Sequence, residues 1–229
     1  MLGRRIRLLL ALLALAAGLP SAVLGQEAGS ARGKESESES ARGHESARGQ
    51  ERINGVSDNQ ILFGQSAALG GETKEVGQQV RLGIEAAFKE TPQVHGRQLK
   101  LISLDDGYEP EAAIANTRRL IEEDEVFALI GHTGTAPSRS ALPVAAAAGV
   151  PYIAPVSGAE FLRDEKWTNL LNLRASYYQE TEQMVRHLTE GLGMGRISVL
   201  YQDDSFGQAG FQGVILALQK RGMTPTFAT

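Results

Sequence analysis

From Ile61 onward, short continuous apolar runs alternate with longer segments in which apolar residues recur every three or four positions. Ile61-Leu62-Phe63-Gly64 is such a run and predicts a buried strand. A loop over Ala67 to Lys74 carries Gly70 and Gly71. The segment Glu75 to Glu90 then spaces Val76, Val80, Ile84, Ala87 and Phe88 as one buried helical face. Gln98 to Leu104 reads as a strand stopped by Asp105-Asp106-Gly107. Pro110 sits where a first helical turn tolerates it, with Ile114, Thr117, Leu120 and Ile121 as the inward stripe. Val126 to Ile130 is the next strand, followed by the turn Gly131 to Thr135. An Ala-rich helix over roughly Ser138 to Ala148 contains Pro143 and is closed by Gly149.

The alternation continues to the last residue. Val150 to Pro155 predicts a strand, Val156-Ser157-Gly158 a turn, Glu160 to Arg163 a short helix and Leu170 to Leu173 a further strand. A helix is expected over Gln179 to Leu192, with Met184, Val185 and Leu188 inward. Ile197 to Tyr201 reads as a strand, Phe206 to Lys220 as a helix, and Thr224 to Ala228 as the start of another strand. Strands joined through helices by short connections imply parallel pairing and right-handed crossovers. Runs that are apolar throughout suit a sheet covered on both faces. The prediction is a doubly wound α/β architecture, with a first unit over about 60–173. A second begins near Arg196 with one strand, one helix and part of another strand, so the chain is expected to stop inside its second lobe.

The first 53 residues follow different rules. Arg4, Arg5 and Arg7 precede an apolar run from Leu8 to Leu19, then Pro20 and small residues around Gly25. This is the layout of a secretory signal peptide over residues 1–25, and the run is short for a bilayer crossing of about 20 residues. The unit Ser-Ala-Arg-Gly-x-Glu then recurs at Ser30 to Glu35, Ser40 to Glu45 and Ser46 to Glu51. With almost nothing large and apolar to bury, residues 26–53 read as a disordered, low-complexity linker. Residues 54–173 and 174–229 are the expected lobes.

The net charge of -4 weighs against a nucleic-acid-binding surface, and 6% aromatic content against a stacking platform for single strands. The chain has no cysteine, which excludes disulfides, thiol catalysis and Cys-ligated metals. No serine has glycine two positions away on both sides, and no phosphate-binding glycine fingerprint is present. His95, His132 and His187 lack metal-ligand spacing, so no metal or cofactor is predicted, and binding is favoured over catalysis. In open α/β sheets ligands sit at the carboxyl ends of strands. That directs attention to Thr133, Gly134 and Thr135, where glycines allow close approach and a helix start favours an anion. The alternative for Thr135 is a plain helix cap. Val156-Ser157-Gly158 and Gly64 to Gly71 are loops of the same kind. His132 lies in one of them and is either a ligand contact or an ordinary buried side chain. Asp105-Asp106 and Asp203-Asp204 read first as turn and cap residues.

Four segments in order carry a resemblance: Leu104 to Pro110, Ala128 to Thr135, Pro151 to Ala159 and Tyr201 to Gly207. Together they resemble the branched-chain amino-acid (Leu/Ile/Val) binding proteins, extracytoplasmic components of ABC transporters with the type I periplasmic binding fold. The likeness spans about residues 59–229. It implies capture of a small amino-acid-like solute between two lobes, without chemistry, and delivery to an ABC transporter permease from the periplasm. It also implies a monomer, and its alternative is a ligand-sensing domain of a membrane receptor. By position, Thr135 resembles the hydroxyl residue that binds the ligand carboxylate. Val156 and Gly158 match ligand-contact positions with Ser157 between them, and Phe206 matches a cleft-facing aromatic. Val76 stands where the family often has Tyr. The acidic residue that usually holds the ligand ammonium would lie beyond Thr229, which implies weak binding, or none, by this span alone.

Overall fold

A computed structural model of the chain describes residues 53–229. The expected signal peptide over 1–25 and the linker over 26–53 lie, apart from Ile53, outside the described residues. The chain forms β1 (Gln60–Ala67), α1 (Lys74–Glu90), β2 (Gln93–Val94), β3 (Arg97–Asp105), α2 (Pro110–Glu122), β4 (Ala128–Ile130) and α3 (Thr135–Ala147). It continues through β5 (Tyr152–Ile153), a 3-10 turn at Glu160–Arg163, β6 (Leu170–Leu171), α4 (Tyr177–Arg186), β7 (Ser198–Val199), α5 (Ser205–Gln219) and β8 (Phe227–Ala228).

Six strands make the main sheet in the order β2-β3-β1-β4-β5-β6. All neighbours are parallel except β2 and β3, which form a hairpin through His95 and Gly96, both at positive φ. That turn geometry matches the strands' twist. The little β2 strand escapes the sequence reading because two residues carry no periodicity. The α/β, mostly parallel sheet is otherwise as predicted.

Side-chain direction fixes the layers. Phe63 packs on Phe88 of α1, with ring centroids 5.3 Å apart. At its neighbour Gly64, an added Cβ would lie 3.0 Å from Leu120 of α2. Consecutive strand residues face opposite sides, so α1 covers one face of the sheet and α2 the other, where it runs against α3. The main core gathers Leu120, Leu129, Leu142, Tyr152 and Leu162. A second core of Val185, Ile197, Ala217 and Leu218 joins α4 and α5 to the two-stranded parallel sheet β7-β8.

Both later helices have side-chain caps. Ser176 and Gln179 form a reciprocal capping box on α4, and the Asp204 carboxylate accepts from the Phe206 and Gly207 N–H groups of α5. α4 ends in a single π-type turn over His187–Gly191.

Three expectations change. Met184, read as inward, is 60% exposed, whereas Val185 beside it is buried; the buried stripe of α4 runs through Tyr177, Thr181 and Val185, and Met184 lies at its edge. Val76 is 56% exposed and Ala87 is exposed, because α1 touches the sheet chiefly through Val80 and Ile84 against Gly131. α3 starts at Thr135, ahead of the expected Ser138, because Pro137 fits a first turn as well as Pro110 does in α2.

Gly77 marks the tightest packing at the start of α1, since a Cβ there would sit 2.0 Å from the Ala68 carbonyl oxygen. Gly83, six residues on in the same helix, has nothing within 4 Å. Gly77→Ala is expected to destabilise the fold by about 3 kcal/mol through overpacking. Gly83→Ala should stabilise it by up to about 1 kcal/mol through helix propensity. Urea unfolding of the two variants checks this, and equal effects would contradict the packing described.

Candidate functional site

Strand order reverses at β1. The chain leaves β1 for β3 on one side, then returns to place β4 on the other. The crevice outside the carboxyl ends of β1 and β4 is where such a sheet binds ligands. Here it is a cleft of about 390 Å³, within the range of small-molecule sites.

Three loops converge on it. The β1 and β4 ladders pair at only two positions, Phe63 with Ala128 and Gly64 with Leu129, and then part. Beyond that point the Gln65 side chain, fully buried, donates to the Gly131 carbonyl at 3.0 Å and accepts from Ser103 of β3 at 2.8 Å. The loop after β4 meets the loop after β5 through Val156 N–H to His132 O, 2.8 Å, which sets Thr133 beside Val156. Thr133 Oγ1 in turn accepts from the Ala68 N–H of the β1 loop at 3.3 Å.

The paired aspartates hold these loops. Asp105 accepts from the Leu69 and Gly107 N–H groups, which keeps its carboxyl below the usual range. Asp106 is buried and accepts from Ser66 Oγ at 2.7 Å; burial pushes its carboxyl upward. Both act in turn formation, as expected, although their side chains clamp loops rather than capping α2.

Thr135 lies at the centre. Gly134 before it adopts φ 96 and leaves no room for a Cβ, which would meet the Tyr108 ring at 2.5 Å. The Thr135 hydroxyl does not cap α3; it pairs with Ser157 Oγ at 2.8 Å and reaches the Tyr177 hydroxyl at 3.4 Å. Pro137 occupies the third position of the helix, so the first turn presents backbone N–H groups only from Thr135, which also faces the Tyr108 hydroxyl, and Ala136. Tyr108 itself holds φ 71, with its N–H on Asp106 and its hydroxyl 3.4 Å from Asp204. Burial, reinforced by Asp204, pushes the Tyr108 phenol up to about 12, so it remains a donor at neutral pH.

Of the residues singled out from sequence, Thr133, Gly134, Thr135, Val156 and Phe206 line the cleft. Ser157 is fully buried behind Thr135, and Gly158 lies under the Tyr177 ring. His132 is 1% exposed beneath the cleft, its ring tilted against Tyr152 with centroids 4.8 Å apart, and its Nδ1 is unpartnered. Val76, expected in the core, stands on the cleft wall. Tyr108, Arg174 and Tyr177 line the cleft and were not singled out. Their only sequence signal is an aromatic or Arg residue in a strand-to-helix connection. Among the described residues, no group of three or more His, Asp or Glu is placed to hold a metal ion.

The family model described as periplasmic binding protein matches residues 60–229. The chain is 34% identical to a solved structure described as a possible leucine/isoleucine/valine-binding protein from Rhodopirellula baltica SH 1; the match covers 78% of this chain and 49% of that one, with a TM-score of 0.70. It is 25% identical over 163 residues to a Leu/Ile/Val-binding protein homolog 2 from Brucella abortus, covering 68% of this chain and 43% of the relative. It is 22% identical over 166 residues to an amino acid binding protein from Pseudomonas aeruginosa, covering 71% and 44%. The chain thus spans less than half the length of these relatives. The chain belongs to the periplasmic binding protein family, and its relatives are solute-binding proteins, not enzymes.

Burial pushes the His132 imidazole down to about 3. The folded chain therefore keeps it neutral, while the unfolded chain takes up a proton below about pH 6.5. His132 thus costs stability progressively as pH falls from about 6.5 toward 3. Between pH 7 and pH 5 the wild type should lose about 2 kcal/mol relative to His132→Phe, which keeps a ring against Tyr152. Denaturant unfolding of both at the two pH values checks it; a constant gap would show that His132 is not held neutral.

Proposed function

We propose that this member of the periplasmic binding protein family captures an amino acid or related small solute on the extracytoplasmic side and passes it to an ABC transporter permease. The observation that carries this is the start of α3: a buried Thr135 hydroxyl and the helix's leading N–H groups at the base of a cleft of about 390 Å³. A helix N-terminus attracts anions, and a carboxylate is the anion common to all amino acids. The names of the relatives, amino acid binding and Leu/Ile/Val-binding, support the same class of solute.

Residues 54–173 and 174–229 are read as the two lobes. The passage between them runs through the connection before α4, and closure about it would seal the solute from water. Phe206 then faces the cleft from the second lobe, and Val156 and the Thr133 to Thr135 turn from the first. Among the described residues no helix is long and apolar enough to cross a membrane. Export through residues 1–25 and tethering through 26–53 complete the reading.

Titration of the isotope-labelled chain with L-leucine, followed by amide NMR, tests it down to weak affinity. The amides of Thr133 to Ala136 are expected to shift, with L-leucinamide, which lacks the carboxylate, giving no such change. Thr135→Val should weaken L-leucine binding about tenfold by deleting one charge-assisted hydrogen bond. An unresponsive turn across the amino acids would overturn the proposal.

A further inference from the structure

A guanidinium stands on the cleft wall with most of its donors unused. Among the described residues, Arg174, in the connection between β6 and α4, is the one basic residue lining the cleft, which Tyr177, Phe206, Glu72 and Glu75 also line. Its position is fixed three ways. Arg163 Nη2 donates to the Arg174 carbonyl at 3.0 Å, which pins the backbone. The Arg174 Cζ lies 5.3 Å from the centroid of the Tyr177 ring. Its Nη2 is bound to Glu180 Oε1. A guanidinium carries five N–H donors in a rigid fork, and the bond to Glu180 takes one. The other donors have no acceptor among the described residues and face solvent in the open cleft, the side chain being 36% exposed.

The far end of the same tyrosine marks the anion end of the cleft. The Tyr177 hydroxyl reaches Thr135 Oγ1 at 3.4 Å, while its ring carries Arg174. One side chain therefore separates two groups suited to anions: the first turn of α3 and a preorganised guanidinium. Phe206 lies edge-on to Tyr177 at 5.5 Å beside them, with Val76 and Val156 also in the cleft lining. A purely aliphatic solute would leave the donors that Glu180 does not take without an acceptor on closure, and a desolvated donor left unpaired is costly.

We infer that Arg174 is a specificity-determining residue and that the cleft selects a solute with a second carboxylate, an acidic amino acid or a small dicarboxylate, over a branched-chain one. The solute's first carboxylate lies at Thr135 and its second on the free edge of the Arg174 fork, bidentate as guanidinium and carboxylate geometry permits. Glu180 keeps its hold on the opposite edge and acts as a positioning residue. This inference rests on the reading of the cleft as an amino-acid site and narrows it.

The test is a titration of the full chain with L-glutamate, L-glutamine and L-leucine, in wild type, Arg174→Gln and Arg174→Lys, read as the ratio of affinities. Wild type is expected to prefer L-glutamate over both others by about tenfold or more. Arg174→Gln should remove that preference. Arg174→Lys, which keeps the charge without the fork, should retain only part of it. Because the readout is a ratio, a general loss of folding or of cleft integrity would not imitate it. Preference for L-leucine in the wild type, or a ratio unmoved by both variants, would overturn this inference and leave the proposed function standing. Failure of every amino acid to bind would overturn both.

Discussion

Gln65 is the point on which the arrangement turns. Parallel strands in this sheet part where their connections leave for opposite faces, and that parting exposes backbone groups that a ladder would otherwise pair. The buried Gln65 amide spans the gap, accepting from Ser103 on one flank and donating to the Gly131 carbonyl on the other. It thereby joins the three central strands directly under the cleft. A buried polar group of this kind stabilises only when both of its ends are satisfied, and here they are. The spacing between the β1 and β4 loops, and hence the width of the cleft floor, follows from the reach of one side chain.

The loops above it are held by backbone geometry rather than bulk. Gly77 lets α1 approach Ala68, Gly131 admits Val80 and Ile84, and Gly134 admits the Tyr108 ring. Each is a position where an added methyl group would collide. The acids nearby serve the same end: Asp105 and Asp106 take up loop N–H groups that no strand or helix satisfies. The cleft is thus shaped by close approaches and polar clamps, and side chains such as Thr135 and Tyr177 project into a frame already set.

This division explains what could be read from the sequence. Continuous apolar runs and helical stripes depend on burial, and they located every helix and every strand of the main sheet except β2. The turns at Thr133 to Thr135 and Val156 also followed, because strand ends in such sheets point to ligands. Tyr108 and Tyr177 did not. Tyr177 meets Thr135 across 42 residues and Tyr108 meets Asp204 across 96, and no periodicity links such partners. Met184 was misassigned for a simpler reason: it lies at the edge of the stripe formed by Tyr177, Thr181 and Val185, where periodicity alone does not tell a buried position from an exposed one.

Pro137 has a chemical consequence of its own. By removing an N–H from the first turn of α3, it leaves Thr135 and Ala136 as the backbone donors there. A planar anion with two oxygens can satisfy such a pair from one edge. A tetrahedral oxyanion would bring further oxygens to a helix turn that has no further free backbone N–H for them. One proline therefore biases the helix end against phosphate and sulfate, the anions that helix starts commonly hold.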